Sequence, residues 1–172
     1  VLGEIYRYQG LYAEAEQTHK RALAIRQEWP RLDRRDVSVS LNNLGIVYRL
    51  QGRYNKSESL LKRALAMQEK FLGSDHRYVA MALNNLANTY RSQGRDDQAA
   101  PLYERSLAIK EKVLDSHHTS LAFGLNNLAL LYDAQKLPHK AVPLYKRAIA
   151  INEKAWGSEH PSVAMNVNNL AE

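Results

Sequence analysis

A repeat of 42 residues runs along the whole 172-residue chain and constrains its fold more than any other feature. The copies share Asn-Asn-Leu plus a small residue, then a tyrosine, a Gln-Gly step that becomes Gln135-Lys136 in the last full unit, and a segment like Arg-Ala-Leu-Ala-Ile. The Asn-Asn pairs begin at Asn42, Asn84, Asn126 and Asn168. Repeats of 20 to 50 residues build arrays of stacked small units. We therefore expect one array over 1–172, with units at about 1–36, 37–78, 79–120, 121–162 and 163–172.

Each unit is predicted to form two helices. In the unit 37–78, the first helix covers about 39–51, where apolar or small residues recur three or four positions apart. Gly52 is placed to end this helix in the left-handed conformation. The second covers about 55–72, before a break at Gly73. No segment alternates apolar and polar residues for long enough to indicate a strand. The sequence therefore predicts an all-α protein.

Small residues occupy the same place in each first helix, with a tyrosine one turn later. We expect them to let the paired helices pack closely. They are Gly3, Gly45, Ala87, Ala129 and Ala171.

Four residues depart from the repeat pattern. Lys136 replaces the turn glycine and is expected to be strained or to change the turn, helped by Pro138. Pro30 should end its helix near Trp29, and Pro101 and Pro143 should bend or loosen the first turns of their helices.

The composition excludes several classes of protein. The chain has no cysteine, so disulfides and thiolate metal sites are absent, which is compatible with a reducing compartment and a cytoplasmic location. No apolar run approaches the roughly 18 residues of a membrane span. The net charge of +6 is concentrated in 37–78, with 7 basic and 3 acidic residues, whereas 79–120 has 5 of each. So local an excess argues against a nucleic-acid partner.

The repeat resembles the tetratricopeptide repeat (TPR), whose first helix carries Leu-Gly-x2-Tyr. Leu44-Gly45 with Tyr48 matches this motif, as does Leu86-Ala87 with Tyr90. The longer period, the Asn-Asn-Leu opening and the Leu-Gly-Ser-Asp-His linker (72–76) resemble the kinesin-light-chain subgroup. The resemblance implies a right-handed superhelical solenoid of antiparallel helix pairs, with the first helices lining a concave groove.

One stripe of each first helix is then expected to face this groove. We call it the first-helix stripe: positions 39, 43, 46 and 50 and their equivalents one or more periods later. Its carboxamides suit an extended peptide because each offers a donor and an acceptor to the backbone. The predicted peptide-binding residues are Asn43, Asn85, Asn88, Asn127, Asn169, Arg49, Arg91, Met81 and Phe123. The asparagine pairs have a simpler interpretation, in which they tie adjacent repeats together by hydrogen bonds.

The arginines among these residues favour an acidic peptide, and Met81 and Phe123 favour apolar or aromatic residues in it. The carboxylate-clamp type of TPR has a lysine where Met81 and Phe123 stand, so recognition of a free C-terminus by that mechanism is not expected.

No arrangement typical of an enzyme is present. His76, His118 and His160 recur at the repeat period, but equivalent residues of stacked repeats lie too far apart to share a metal, so we expect them to shape helix entry. Glu14 and Glu16 are interpreted as a solvated helix face with i,i+4 ion pairs. We therefore expect neither catalysis nor a cofactor.

The sequence thus predicts a non-catalytic module that binds a protein or peptide. The alternative is an architectural scaffold or self-associating spacer within a larger signalling or transport protein. Both termini cut through a first helix, so end-to-end self-association is a further expectation.

Overall fold

The computed structural model describes residues 2–28 and 34–171, and in these ranges it forms nine α-helices and no strand. The chain divides into two compact units, unit 1 (Val1–Arg95) and unit 2 (Asp96–Glu172). Unit 1 contains α1 (Leu2–Tyr8), α2 (Tyr12–Glu28), α3 (Arg34–Leu50), α4 (Tyr54–Leu72) and α5 (Arg77–Ser92). Unit 2 contains α6 (Asp96–Val113), α7 (Thr119–Ala134), α8 (Pro138–Trp156) and α9 (Pro161–Ala171). The all-α prediction is confirmed.

Tight turns join first and second helices, so the two helices of a pair run antiparallel. Gly52 follows α3 with φ 73°, a left-handed conformation that costs a glycine little. The predicted second helix is confirmed to within one residue. The predicted first helix starts too late: α3 begins at Arg34, because Val37 and Ser38 are already buried in its first turns. Pro30 and Trp29 lie outside the described residues.

The core of each helix pair depends on close backbone approach, as predicted. A Cβ added at Gly45 would lie 2.7 Å from Leu61 Cγ, and one added at Gly3 would lie 2.6 Å from His19 Nε2. Ala87 and Ala129, at the equivalent positions, have no exposed surface. The small residue in each first helix therefore admits a larger side chain from the second helix.

Lys136 is the departure that the structure resolves most clearly. It has φ 58°, in the left-handed region, where Gly10, Gly52 and Gly94 end the other first helices. The lysine therefore keeps the turn shape and carries the strain. Pro138 then begins α8, where its fixed φ and missing N–H suit a first helical position. Pro101 and Pro143 lie inside α6 and α8, and both helices continue through them.

Three histidines cap first helices. The Nδ1 atom of His76 accepts a hydrogen bond from Tyr78 N at 3.2 Å. His118 does the same for Ser120 N at 3.1 Å, and His160 for Ser162 N at 3.2 Å. Each bond satisfies an amide that the first turn of a helix leaves without a partner. The prediction that these histidines shape helix entry is confirmed.

Candidate functional site: the first-helix stripe and the pocket beside Trp156

In unit 1 the first-helix stripe is half-buried. Asn43 lies on α3, and Met81, Asn85 and Asn88 follow one another along one face of α5. Arg49 and Arg91, in the last turns of α3 and α5, are also half-buried. The half-buried residues of α3 and α5 thus include methionine, carboxamide and guanidinium groups, and their role in binding a peptide stays a prediction.

In unit 2 the first-helix stripe exposes larger apolar side chains. Phe123 on α7 is 56% exposed, and Met165 on α9 is 48% exposed. Asn169 is half-buried, whereas Asn127 is buried and presents little surface to a ligand. The stripe in unit 2 is therefore more apolar than the stripe in unit 1.

The asparagines tie successive first helices together. In unit 1, Asn85 Nδ2 donates to Asn42 Oδ1 at 3.0 Å. In unit 2, Asn169 Nδ2 donates to Asn126 Oδ1, also at 3.0 Å. The acceptor asparagines are buried and the donors half-buried, so the structural interpretation holds for these two bonds. A carboxamide has two donor hydrogens and an acceptor oxygen, so Asn85 and Asn169 retain hydrogen-bonding capacity beyond these bonds.

Glu16 corrects the interpretation of its helix as a solvated face. It forms the expected i,i+4 pair with Lys20, at 2.6 Å, but its side chain is largely buried and faces the next helix pair. It accepts hydrogen bonds from Tyr48 Oη at 3.2 Å, Gln51 Nε2 at 3.0 Å and Arg53 at 2.7 Å. The sequence could not show this, since the partners lie more than 30 residues away.

A glutamate that accepts hydrogen bonds from a tyrosine and an arginine recurs one period later, at Glu58. In the following repeat the glutamate lies at a different position. Glu58 accepts bonds from Tyr90 Oη at 3.1 Å and from Arg95 at 2.7 Å. In unit 2 the equivalent position is Ala100, and Glu104, one turn further along α6, accepts the bond from the Tyr132 hydroxyl instead. Burial and this bond to Glu104 raise the pKa of Tyr132 to about 12. The tyrosines that the sequence placed in packing positions thus also carry polar contacts between repeats.

A column of polar residues lies near the end of each second helix, one residue per repeat. It consists of Arg26, Gln68, Lys110 and Asn152. The position 14 residues later, in the following first helix, has a side chain that varies in size: Ser40, Ala82, Gly124 and Asn166. In two repeats a long column residue lies against a small residue of the next first helix. Arg26 donates to Ser40 Oγ, and a Cβ added at Gly124 would lie 3.4 Å from Lys110 Nζ. The last repeat reverses this, with a short column residue and a larger facing residue.

Unit 2 contains a cavity of about 280 Å³ where the column residue is short. Its lining includes Phe123, Asn152, Trp156, Met165 and Asn166, from α7, α8 and α9. Trp156 is 57% exposed and stacks on His160, with ring centroids 5.4 Å apart. We call this cavity the Trp156 pocket.

The sequence did not predict the pocket, because the predictions rested on the features that the repeats share. The available signal was the departure at Asn166, where the other repeats have serine, alanine or glycine. In the part of the chain that the structure describes, no group of three His, Asp or Glu side chains could hold a metal ion. None of the described helices is long and apolar enough to cross a membrane.

Comparisons with known proteins agree with this architecture. The tetratricopeptide repeat family matches residues 1–70, 36–112 and 78–154. Two crystal structures of a kinesin light chain-like protein from Podosopora anserina, with nearly identical TPR-like repeats, are 30% identical to this chain. They give TM-scores of 0.83 and 0.81 and cover 99% of this chain and 80% and 81% of theirs.

BtubC (BKLC) from P. vanneervenii has the same fold at 23% identity, with a TM-score of 0.86. The alignment covers 98% of this chain and 67% of that one. The comparison with curated proteins gives no match. The chain therefore belongs to the tetratricopeptide repeat family, whose members are generally non-catalytic modules for protein–protein interaction and whose solved relatives here are kinesin light chain-like.

Proposed function

We propose that this protein is a non-catalytic module that binds an extended peptide along the first-helix stripe, without a cofactor. The observation that carries the proposal is the exposure of Phe123 and Met165, at equivalent positions of two successive first helices. Large exposed apolar side chains beside carboxamides are typical of a surface that binds a peptide.

In unit 1 the roles divide by side-chain chemistry. Asn85 and Asn88 hold the peptide backbone, because carboxamides pair with both N–H and C=O groups. Met81 packs against an apolar side chain of the peptide, and its flexible thioether adapts to different shapes. Arg49 and Arg91 attract acidic residues, and Asn43 extends the polar surface along α3.

In unit 2 the apolar contribution is larger. Phe123 and Met165 provide the contact area, and Asn169 holds the backbone. Asn127 is buried, so it acts mainly by supporting the α7 surface. The expected ligand is an acidic peptide that carries at least one apolar or aromatic residue.

Selection from a randomised peptide library against the purified chain, at low and at high salt, tests this function. Enrichment of acidic peptides with an aromatic residue, bound more weakly at high salt, supports it, because salt screens the arginine contribution. The absence of any enriched peptide from a folded sample contradicts it.

A second candidate, self-association, rests on a different observation. Leu2 on α1 is 53% exposed, whereas its equivalent Leu44 is 3% exposed. Val167 on α9 is exposed, whereas its equivalent Leu125 is fully buried. Another repeat of the same kind would cover such positions, so a second copy of the chain can stack on either end. Light scattering over a concentration series tests this: growth of the mass with concentration supports stacking, and a constant monomer mass rejects it.

The location of the protein and the class of its partners belong to the same proposal. We propose a cytoplasmic protein, since a chain without cysteine is compatible with a reducing compartment. Its partners are proteins, and neither a membrane nor a nucleic acid is among them.

A further inference from the structure

The Trp156 pocket has an apolar rim and a polar floor. Phe123, Trp156 and Met165 form the rim, and each is about half exposed. Asn152 and Asn166 lie deeper and are buried. A side chain that enters the pocket therefore contacts apolar groups at the rim and amide groups at the floor.

Asn166 is the feature that points to a ligand. The residue is 1% exposed, and neither Nδ2 nor Oδ1 has a hydrogen-bond partner. A buried amide without protein partners is destabilising, because burial removes it from solvent and no hydrogen bond within the protein replaces that loss. An occupant that both accepts from Nδ2 and donates to Oδ1 recovers that free energy.

The absence of lining charge narrows the chemistry of the occupant. No Asp, Glu, Lys or Arg is among the residues that line the pocket. A charged side chain entering it would be desolvated without a counter-ion, which is costly. The occupant is therefore neutral and polar at its tip, and the rim requires an apolar stem.

Another repeat has a glutamine at the position that corresponds to Asn152. In unit 1 the column residue is Gln68, which is buried in α4 and whose carboxamide atoms also have no hydrogen-bond partner. The position of Asn166 is taken there by the small Ala82. In unit 2 the column residue is Asn152, one methylene shorter, and the space opens as a cavity of about 280 Å³.

We propose that the Trp156 pocket binds the side chain of a glutamine in the peptide held by unit 2. The glutamine carboxamide pairs with both amide atoms of Asn166, and its two methylene groups pack between Phe123, Trp156 and Met165. The peptide backbone stays at the mouth of the pocket, because Asn166 lies too deep for it. This inference rests on the proposed peptide-binding function and adds a sequence preference to it.

The test uses capped single residues, which share one backbone and differ only in the side chain. N-acetyl-glutamine methylamide is titrated into the whole ¹⁵N-labelled chain, and the glutamate and methionine analogues are titrated in parallel. The resonances followed are the Asn166 side-chain amide and the Trp156 indole N–H. The pocket predicts that both shift with glutamine, and that glutamate and methionine bind more weakly by about fivefold or more. Methionine binding as tightly as glutamine overturns the proposal, since only the apolar rim would then be recognised.

Two variants test whether binding of the glutamine probe depends on the space beside Asn152 and on the amide of Asn166. Asn152→Gln places a glutamine from the chain itself at the level of Gln68, and it should abolish binding of the glutamine probe while the fold is retained. Asn166→Ala places an alanine where Ala82 stands in another repeat, and it should remove the preference for glutamine over methionine. Glutamine binding that survives both variants contradicts the assignment.

Failure of the glutamine pocket can be distinguished from failure of the peptide-binding function. Peptides enriched from the library without any glutamine preference at unit 2 would overturn the pocket and leave the function standing. A glutamine probe that shifts Asn166, together with no enriched peptide, would do the reverse.

Discussion

Asn85 Nδ2 donates a 3.0 Å hydrogen bond to Asn42 Oδ1, which joins the same motif in two successive repeats. The bond explains why the repeat carries asparagines side by side: one is buried as acceptor, and the next reaches back to the previous repeat. Asn85 therefore belongs both to the predicted peptide-binding stripe and to a hydrogen bond that joins two successive repeats.

Replacing Asn42 by alanine should destabilise the protein by about 1–3 kcal/mol, because the buried site loses its bond and the Asn85 amide loses its acceptor. Urea unfolding followed by circular dichroism measures the change. Asn55→Ala, at an exposed position of α4, is the control and should change stability by less than about 0.5 kcal/mol. Equal effects of the two substitutions would contradict the structural role of Asn42.

The strained turn gives a prediction of opposite sign. Lys136→Gly should stabilise the protein by about 1 kcal/mol, because glycine adopts a φ of 58° without the steric cost that lysine carries. The matched variant is Gly94→Lys, which places a lysine at a φ of 70° in the corresponding turn and should destabilise by a similar amount. Thermal unfolding of both variants checks this, and a melting temperature that falls for Lys136→Gly would show the turn is not strained.

Glu16 makes stability depend on acid pH. Partial burial disfavours its charged form, but hydrogen bonds from Lys20, Gln51 and Tyr48 outweigh this and lower its pKa to about 2. The folded pKa lies below the unfolded one of 4.5, so the contribution is present above pH 4.5 and is lost as the pH falls towards 2.

Glu16→Gln should therefore flatten the pH dependence of stability between pH 4.5 and 2. Because the ion pairs are partly exposed and screened, we expect a loss of only about 1 kcal/mol at pH 7. Denaturant unfolding at a series of pH values measures both quantities. Glu14→Gln, on an exposed neighbour, is the control, and a slope that persists in Glu16→Gln but not in this control would refute the assignment.

Lys110 gives a dependence of the same sign at alkaline pH, where stability again rises with pH. Burial lowers its pKa to about 8, and its Nζ donates to Ser120 O at 3.1 Å. Because the unfolded lysine holds its proton up to about 10.5, stability should rise as the pH increases from 8 to 10.5.

Lys110→Met should remove this rise, since no amine is left to titrate at the site. Unfolding free energies measured at pH 7, 8, 9 and 10 test the point. Lys112→Met, at an exposed position two residues away, should keep the wild-type slope. A slope that survives in Lys110→Met would assign the titration to another group.

The sequence predicted features that every repeat shares. The small residues at Gly45 and Ala129, the left-handed Gly52 and the capping histidines follow from local sterics and spacing, and all are observed. Contacts that depend on a partner one repeat away were harder to predict. Glu16 looked like a surface residue because its partners Tyr48 and Arg53 are close only in three dimensions.

The Trp156 pocket was not predicted, because it depends on how two side chains fill one space. Asn166 departs from the small residues found at its position in the other repeats, but that departure alone does not predict a cavity. Only their combination, a short column residue opposite a polar one, leaves a cavity with a buried amide. The peptide-binding residues of the first-helix stripe stay a prediction until a ligand is measured.

The measurement that tests the central claim most directly compares the only two phenylalanines of the chain. Phe123 lies on a first helix, in the stripe, and Phe71 lies on a second helix, and both are exposed. A peptide selected from the library is titrated into Phe123→Ala, Phe71→Ala and, for a peptide held by unit 1, Met81→Ala. We predict that Phe123→Ala or Met81→Ala weakens binding by about tenfold, as truncation of an apolar anchor does, and that Phe71→Ala leaves it unchanged. Unchanged affinity in both stripe variants, or an equal loss in Phe71→Ala, would contradict peptide binding along the first-helix stripe.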